Sequence, residues 1–333
     1  MGGLLRKPKV LVGLVAVLLL LVGGFLYRGP MAEISLPAER VAHIFGFPLT
    51  NTILAAWLTI IVLATLSYFG LRRMSLVPSG LQNLLEAVVE MFLGLAQGVA
   101  GKKHGRRFFP LVTTIFLFIV ISNWMGLLPG FGTIGLMEPS HKAEEHGTPY
   151  RMVKMGGIDV ALVTPVGEKA EKHGENESTS KGVLKPFLRS ANTDINTPLA
   201  LALVAVVMVE YWGISTLGLS TYGSRFFNIG RILRRDFFNG FVDFFVGALE
   251  LVSEMARIIS FTFRLFGNIF AGEVLLAVMG FLIPWVAILP FFGLELFVGF
   301  IQAFIFAMLT LVFGVIAVAG HGDEKHQEKT KEG

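Results

Sequence analysis

Long apolar runs alternate with short polar stretches along most of the chain. The runs cover residues 10–27, 51–69, 108–129, 198–217, 237–282 and 291–319. A helix crossing the hydrocarbon core of a bilayer needs about 20 apolar residues, so each run is read as a membrane helix. The first also has the form of a secretory signal, because Arg6, Lys7 and Lys9 precede about 18 apolar residues. Arg28-Gly29-Pro30 follows in place of a small-x-small cleavage site, and an uncleaved anchor is expected.

Between the second and third runs the pattern changes. Leu81, Leu84, Leu85, Val88, Phe92, Leu95 and Val99 recur at helical spacing, with Gln82, Glu86 and Glu90 on another face. Pro78-Ser79 supplies a start and Gly101 a stop, so 79–100 is expected to be an amphipathic helix at the membrane interface. Residues 137–193 form a polar insert rich in Lys, Glu, His and Gly, with a small hairpin expected near 150–166 and solvated loop elsewhere. Residues 320–333 read as a charged, disordered tail.

The run 237–282 holds no proline and is too long for one upright span. As a helix of about 46 residues it would reach roughly 69 Å, against a hydrocarbon core of about 30 Å. It must tilt steeply or lie partly along the interface. A turn at 283–290 returns the chain into 291–319, so the last two helices are expected to form a long, strongly tilted hairpin. The fold expected is an all-α polytopic membrane protein of five to six membrane helices plus the interfacial one. Its parts are an N-terminal anchor and linker (1–50), the first membrane helices (51–136), the insert (137–193), a bundle (194–319) and the tail (320–333).

Composition agrees. Hydrophobic residues are 53% of 333, charged residues 16%, and mean hydropathy is +0.67; soluble domains carry about a quarter charged residues. The net charge is +4 and the pI about 9.3. The basic residues, however, cluster between apolar runs (6–9, 72–107, 225–235), where they set orientation and do not point to nucleic acid. If every span crosses once, all three clusters and the C-terminal tail fall on the cytoplasmic side. Cysteine is absent and all seven histidines lie outside the runs. No metal or cofactor site is expected. An intramembrane hydrolase would have to rely on Ser and Lys, and no Lys lies in a late span.

The chemistry concentrates in the last two runs. An arginine at the bilayer centre costs about 2.5–3.5 kcal/mol on insertion scales, yet Arg264 sits within 261–270. Snorkelling is a poor account of it, because the expected cytoplasmic helix end is more than about five turns away. At about 100° per residue, Asn268 lies one turn beyond Arg264 on nearly the same face. Arg257 and Glu250 continue that stripe at seven-residue steps, and Glu273 projects to the opposite side. On the following helix Glu295 and Gln302 share a face, and Glu295 is the only charge between Glu273 and the tail. Glu273 and Glu295 also admit a plainer reading as interfacial carboxylates near the turn, and Gln302 as a bridge between helices. Glu210, well inside 198–217, either snorkels to the cytoplasmic side or adds to an ion path.

Five segments in order carry a resemblance. They are Pro78-Ser79-Gly80-Leu81-Gln82-Asn83; Asn123-Trp124-Met125-Gly126-Leu127-Leu128-Pro129; Asp194-Ile195-Asn196-Thr197; Arg264-Leu265-Phe266-Gly267-Asn268 through Glu273; and Gln302-Ala303-Phe304-Ile305-Phe306 with Leu309-Thr310. Over 51–319 the chain resembles the a subunit of the membrane sector of rotary (F-type) ATP synthases; the first span and the size of the insert are departures. The resemblance implies a non-catalytic stator of a bacterial inner membrane, set in lipid. Its partners would be a ring of c subunits, peripheral-stalk b subunits and other synthase subunits, with two half-channels for protons. Arg264 would face the ring carboxylate, with Asn268 and Gln302 lining its surroundings. Glu273 and Glu295, the latter a histidine in some members, would belong to the outer half-channel, with Asn123, Asp194 and Asn196 at its mouth. Glu250 would serve the cytoplasmic half-channel, and Arg257 would be a second, non-essential basic position. The alternative is a stand-alone ion-coupled secondary transporter. Such proteins show internal repeats and paired broken helices, and neither pattern is found in this sequence.

Overall fold

The structure is a computed structural model that describes residues 37–44, 46–72, 74–132, 134–138, 148–155, 158–163, 180–224, 237–282 and 288–319. The expected anchor at 10–27, the arginines at 225–235 and the tail lie outside the described residues.

A hairpin opens the described chain: β1 (Arg40–Ile44) pairs antiparallel with β2 (Phe47–Thr50). These strands were not expected, being too short to show alternation. Helix α1 (Asn51–Leu71) follows at once. Its exposed Trp57, Ile60, Ile61, Tyr68 and Phe69 call for lipid around them. Helix α2 (Leu81–Gly126) has two legs, broken at Gly101, whose φ of 72° and ψ of 167° glycine alone adopts readily. Past the break the chain doubles back closely. A Cβ built on Gly105 would come within 2.5 Å of the Ala96 carbonyl oxygen.

The insert is more ordered than its sequence suggests. Strands β4 (Thr148–Met155) and β5 (Ile158–Val163) form the expected hairpin. Two further strands, β3 (Gly135–Glu138) and β6 (Ser180–Pro186), complete a four-stranded antiparallel sheet ordered β3-β6-β4-β5. Expecting loop there was incorrect. Strand β6 forms through its partners on both sides, a long-range effect that its own Ser-Lys-Gly-Val-Leu-Lys-Pro does not announce.

The rest is helical: α3 (Asn196–Leu217), the short α4 (Leu219–Gly223), α5 (Phe237–Leu282) and α6 (Leu289–Val318). Helix α5 runs for 46 residues without a proline. Among the described residues five helices are long and apolar enough to cross a membrane, namely α1, α2, α3, α5 and α6. The protein is an all-α polytopic membrane protein carrying a small sheet.

By internal contacts the chain divides into two compact units. The first comprises Met1–Ala56, Asn123–Asp194 and Asn268–Gly299; the second comprises Trp57–Ser122, Ile195–Gly267 and Phe300–Gly333. The second unit has an aromatic core. Phe108 stacks on Trp212 at 4.2 Å, Phe92 meets Phe116 at 4.5 Å, and Phe261 meets Phe306 at 4.7 Å. The Phe108–Trp212 stack fits against α6 because Gly314 has no side chain; a Cβ there would lie 2.9 Å from the Trp212 ring. The first unit differs in kind, with Asn51, Thr52, Asn123, Arg189, Asn192, Thr193, Asp194 and Glu295 all buried.

Candidate functional site

Burying polar groups is costly unless they are hydrogen-bonded, and in the first unit one short segment supplies several of the partners. Past the paired Gly135 and Pro186, backbone bonds extend the ladder from Phe187 N–H to Ile134 O (2.9 Å) and from Gly132 N–H to Leu188 O (2.8 Å). A 3-10 turn at Ala191–Thr193 follows, and Thr193 N–H donates to Ser190 O (3.2 Å). Within six residues, three side chains then reach three helices. Arg189 donates side-on to Glu273 of α5, from Nε to Oε1 (2.9 Å) and from Nη2 to Oε2 (3.0 Å). Asn192 Nδ2 donates to Asn123 Oδ1 of α2 at 2.7 Å. Asp194 Oδ2 accepts from Thr52 Oγ1 of α1 at 3.1 Å. Asn123 in turn donates to the Gly299 carbonyl of α6 at 3.1 Å.

Glu295 sits on α6 with 7% of its surface exposed. Its carboxylate lies directly against Gly272 of α5, where any Cβ would overlap it. A glycine is needed here for close approach. Glu295 therefore packs beside the residue that precedes Glu273. Glu273 itself is paired yet open to solvent, with its side chain 38% exposed. Asn268 is exposed on the same stretch of α5. The first unit thus brings together Asn123, Asp194, Glu273 and Glu295 of the expected site residues, and adds Arg189, Asn192 and Thr52.

The second unit contains Arg264, Glu250, Gln302 and Asn196. Asn196 is exposed in the first turn of α3, and Gln302 is buried on α6 at 3% exposure. The two arginines of α5 differ sharply. Arg257 Nη1 donates to both carboxylate oxygens of Glu254 (2.8 and 2.7 Å), and its guanidinium lies over the Phe313 ring at 4.0 Å. Arg264 is exposed, and among the described residues its Nη2 donates to Ser260 Oγ at 3.3 Å. Both guanidinium groups line a groove of about 320 Å³ that also takes in Ser253 and Ser260. Glu254 lies within electrostatic reach of Glu250 on its own helix and Glu210 on α3. Glu210 is half-buried with one carboxylate oxygen fully enclosed. It joins a carboxylate cluster around Arg257.

The residues that sequence reasoning missed are Arg189, Asn192, Thr52 and Glu254. Glu254 had a signal, standing three residues before Arg257 on one helix. Arg189 had none beyond its charge, because its partner is 84 positions away. Among the described residues no group of three His, Cys, Asp or Glu side chains is arranged to hold a metal ion.

Carboxylates gathered with polar side chains, one of them open to water, can accept protons. An exposed guanidinium on an apolar helix can face a passing anion. These features define a class: a polytopic membrane protein built to handle an ion within the bilayer. Comparison with known proteins narrows the class. The family model "ATP synthase A chain" matches residues 53–314, and the chain belongs to that family. Among its relatives is ATP synthase subunit a of Nitratiruptor sp., 31% identical over 279 residues, which covers 84% of this chain and 92% of the relative. ATP synthase subunit a of Gloeobacter violaceus is 30% identical over 273 residues (82% and 85%), and that of Moorella thermoacetica 26% identical over 285 residues (86% and 98%).

Proposed function

We propose that this chain is the proton-translocating stator subunit of an F-type ATP synthase. It sits in a bacterial inner membrane with its C-terminus in the cytoplasm and associates with a ring of c subunits, the peripheral-stalk b subunits and the rest of the synthase. It is not catalytic by itself. The observation that carries the reading is Arg264, an exposed guanidinium on the 46-residue α5 that, among the described residues, donates to Ser260 Oγ. Around it Phe263, Ile259, Met255 and Val252 are exposed as well. An arginine so placed needs an anion, and none is paired with it among the described residues.

A carboxylate carried by a neighbouring subunit meets that need. A fixed cation beside it favours its ionised form and turns protons away from a direct route across the membrane. Arginine suits the role because it stays charged in a low dielectric. In this reading Glu273, Glu295, Asn123, Asp194 and Asn196 belong to the outer half-channel, and Glu250 to the cytoplasmic one. Asn268 and Gln302 flank the arginine. Arg257 is already matched by Glu254 and Phe313, which supports a structural role for it. Each proton that crosses contributes about 2.3 kcal/mol per 100 mV, the energy that turns the ring.

The test is ATP-driven acidification of inverted membrane vesicles that carry Arg264→Ala beside wild type. Loss of pumping in a complex that still assembles is the expected result. Pumping at the wild-type rate would sink the proposal and reopen the transporter alternative.

A further inference from the structure

The outer insert ends in a segment whose side chains do something specific. Arg189 is 6% exposed, its backbone fixed on one side by the extended β3–β6 ladder and on the other by the 3-10 turn at Ala191–Thr193. Ser190 seats against Gly126 at the end of α2, so closely that a Cβ on that glycine would come within 2.6 Å of it. The side chain of Arg189 then has one reach, to Glu273. Its Nε lies 2.9 and 3.1 Å from the two carboxylate oxygens, Nη2 lies 3.0 Å from Oε2, and the guanidinium also faces the Phe270 ring at 5.9 Å.

Building on the stator reading, we infer that Arg189 is the positioning residue for Glu273, and that the sheet of the insert serves to hold Arg189 in place. A lone glutamate on a helix has three free side-chain torsions and turns among rotamers. A guanidinium fork engages both of its oxygens in one plane and selects a single orientation. Oε1 accepts from Nε alone and keeps a second lone pair, and the side chain of Glu273, 38% exposed, remains in contact with water. The carboxylate is thereby fixed in direction while still able to exchange a proton with solvent. Its neighbour in sequence, Gly272, carries the contact to Glu295, so the direction of Glu273 is set beside the second carboxylate of the same unit. The polar insert thus takes part in proton access without contributing a proton carrier of its own.

The experiment measures passive proton conductance, per assembled complex, through membranes stripped of the peripheral catalytic sector. It compares wild type, Arg189→Gln, Arg189→Lys, Glu273→Gln and the double variant Arg189→Gln/Glu273→Gln. Misplacing a reacting group by about 1 Å costs on the order of 100-fold, so a fall of at least about tenfold is expected for Arg189→Gln. Arg189→Lys, which keeps the charge, should recover most of it. Arg189→Gln should cause no further loss in the Glu273→Gln background, an equality that general damage to the fold would not produce.

The inference is overturned if Arg189→Gln conducts like wild type, or if it slows the Glu273→Gln protein by the same factor as wild type. Should Arg189→Gln alone fail to assemble, Glu273→Gln and the double variant still decide. Assembly with equal conductance supports the inference, and a double variant that is slower or does not assemble overturns it. Membranes lacking this chain run alongside. If wild type conducts no better than they do, the stator reading itself fails; if wild type conducts and Arg189 is indifferent, only this inference fails.

Discussion

The two units treat their charged groups in opposite ways. In the first, charges and amides find partners within the chain: Arg189 with Glu273, Asn192 with Asn123, Thr52 with Asp194. In the second, the two arginines of α5 differ: among the described residues one has a carboxylate partner and the other does not. Arg257 has Glu254 and Phe313, while Arg264 stands exposed with a serine hydroxyl. The same helix supplies both, so helix propensity cannot explain the difference. What differs is which groups the rest of the chain provides. A protein that folds alone completes most of its buried polar contacts, and the staple at 189–194 does much of this in the first unit.

The sharpest way to break this contrast is to treat the two arginines alike. Removing one member of a close ion pair in a dry setting costs about 3–5 kcal/mol, so Arg264→Gln should lower ATP-driven pumping by on the order of 100-fold or more. Arg257→Gln should instead lower the yield of assembled complex while leaving the rate per complex close to wild type. Pumping assays normalised by immunoblot separate the two, and equal rates for both variants would erase the distinction.

Next in size is the contact between α5 and α6. Forcing extra volume into a filled site costs about 1–3 kcal/mol, so Gly272→Ala should lower passive proton conductance by roughly fivefold or more. Combining it with Glu295→Asp, which withdraws the carboxylate by one methylene, should restore part of the loss. A second substitution without effect would show that Glu295 does not depend on that contact. The two carboxylates themselves follow: Glu273→Gln with Glu295→Gln should slow proton passage with assembly intact, and unchanged flux would remove both from the proposed path. The smallest effect concerns the polar staple. Thr52→Val removes one buried donor from Asp194, and a hydrogen bond to a charged group contributes about 1.5–3 kcal/mol. A lower melting temperature of the detergent-solubilised complex, with near-normal conductance, is the expected outcome.

The helices were legible because lipid as a solvent leaves so few options. Every backbone polar group must be satisfied within the segment, so an uninterrupted apolar run such as 237–282 reads directly as α5. Gly101 was legible for a related reason, as the residue that ends an amphipathic pattern and alone tolerates the φ of the break. Arg264, Glu273 and Glu295 stood out because charge inside such a run is costly. The staple did not stand out. Residues 189–194 sit at the edge of a polar stretch, where one more Arg, Asn or Asp is unremarkable by composition. Their meaning lies in contacts to α1, α2 and α5 made across 69 to 142 positions. Strands β3 and β6 were hidden for the same reason, since each is stabilised by a partner far along the chain. Glu210 was visible as a charge out of place, but only Glu254 across from it gives that charge a setting.

The length of α5 has a mechanical side. An unbroken rod of 46 residues resists flexing far better than two short helices joined by a hinge. Each stretch of the rod is tied down within its own unit, at Arg257 by the Phe313 stack and at Glu273 by the Arg189 clasp. A rod carried in this way recoils little when something turns against it. In a stator, stiffness matters as much as charge, because a wall that yields stores the stroke as strain and does not pass it on as rotation.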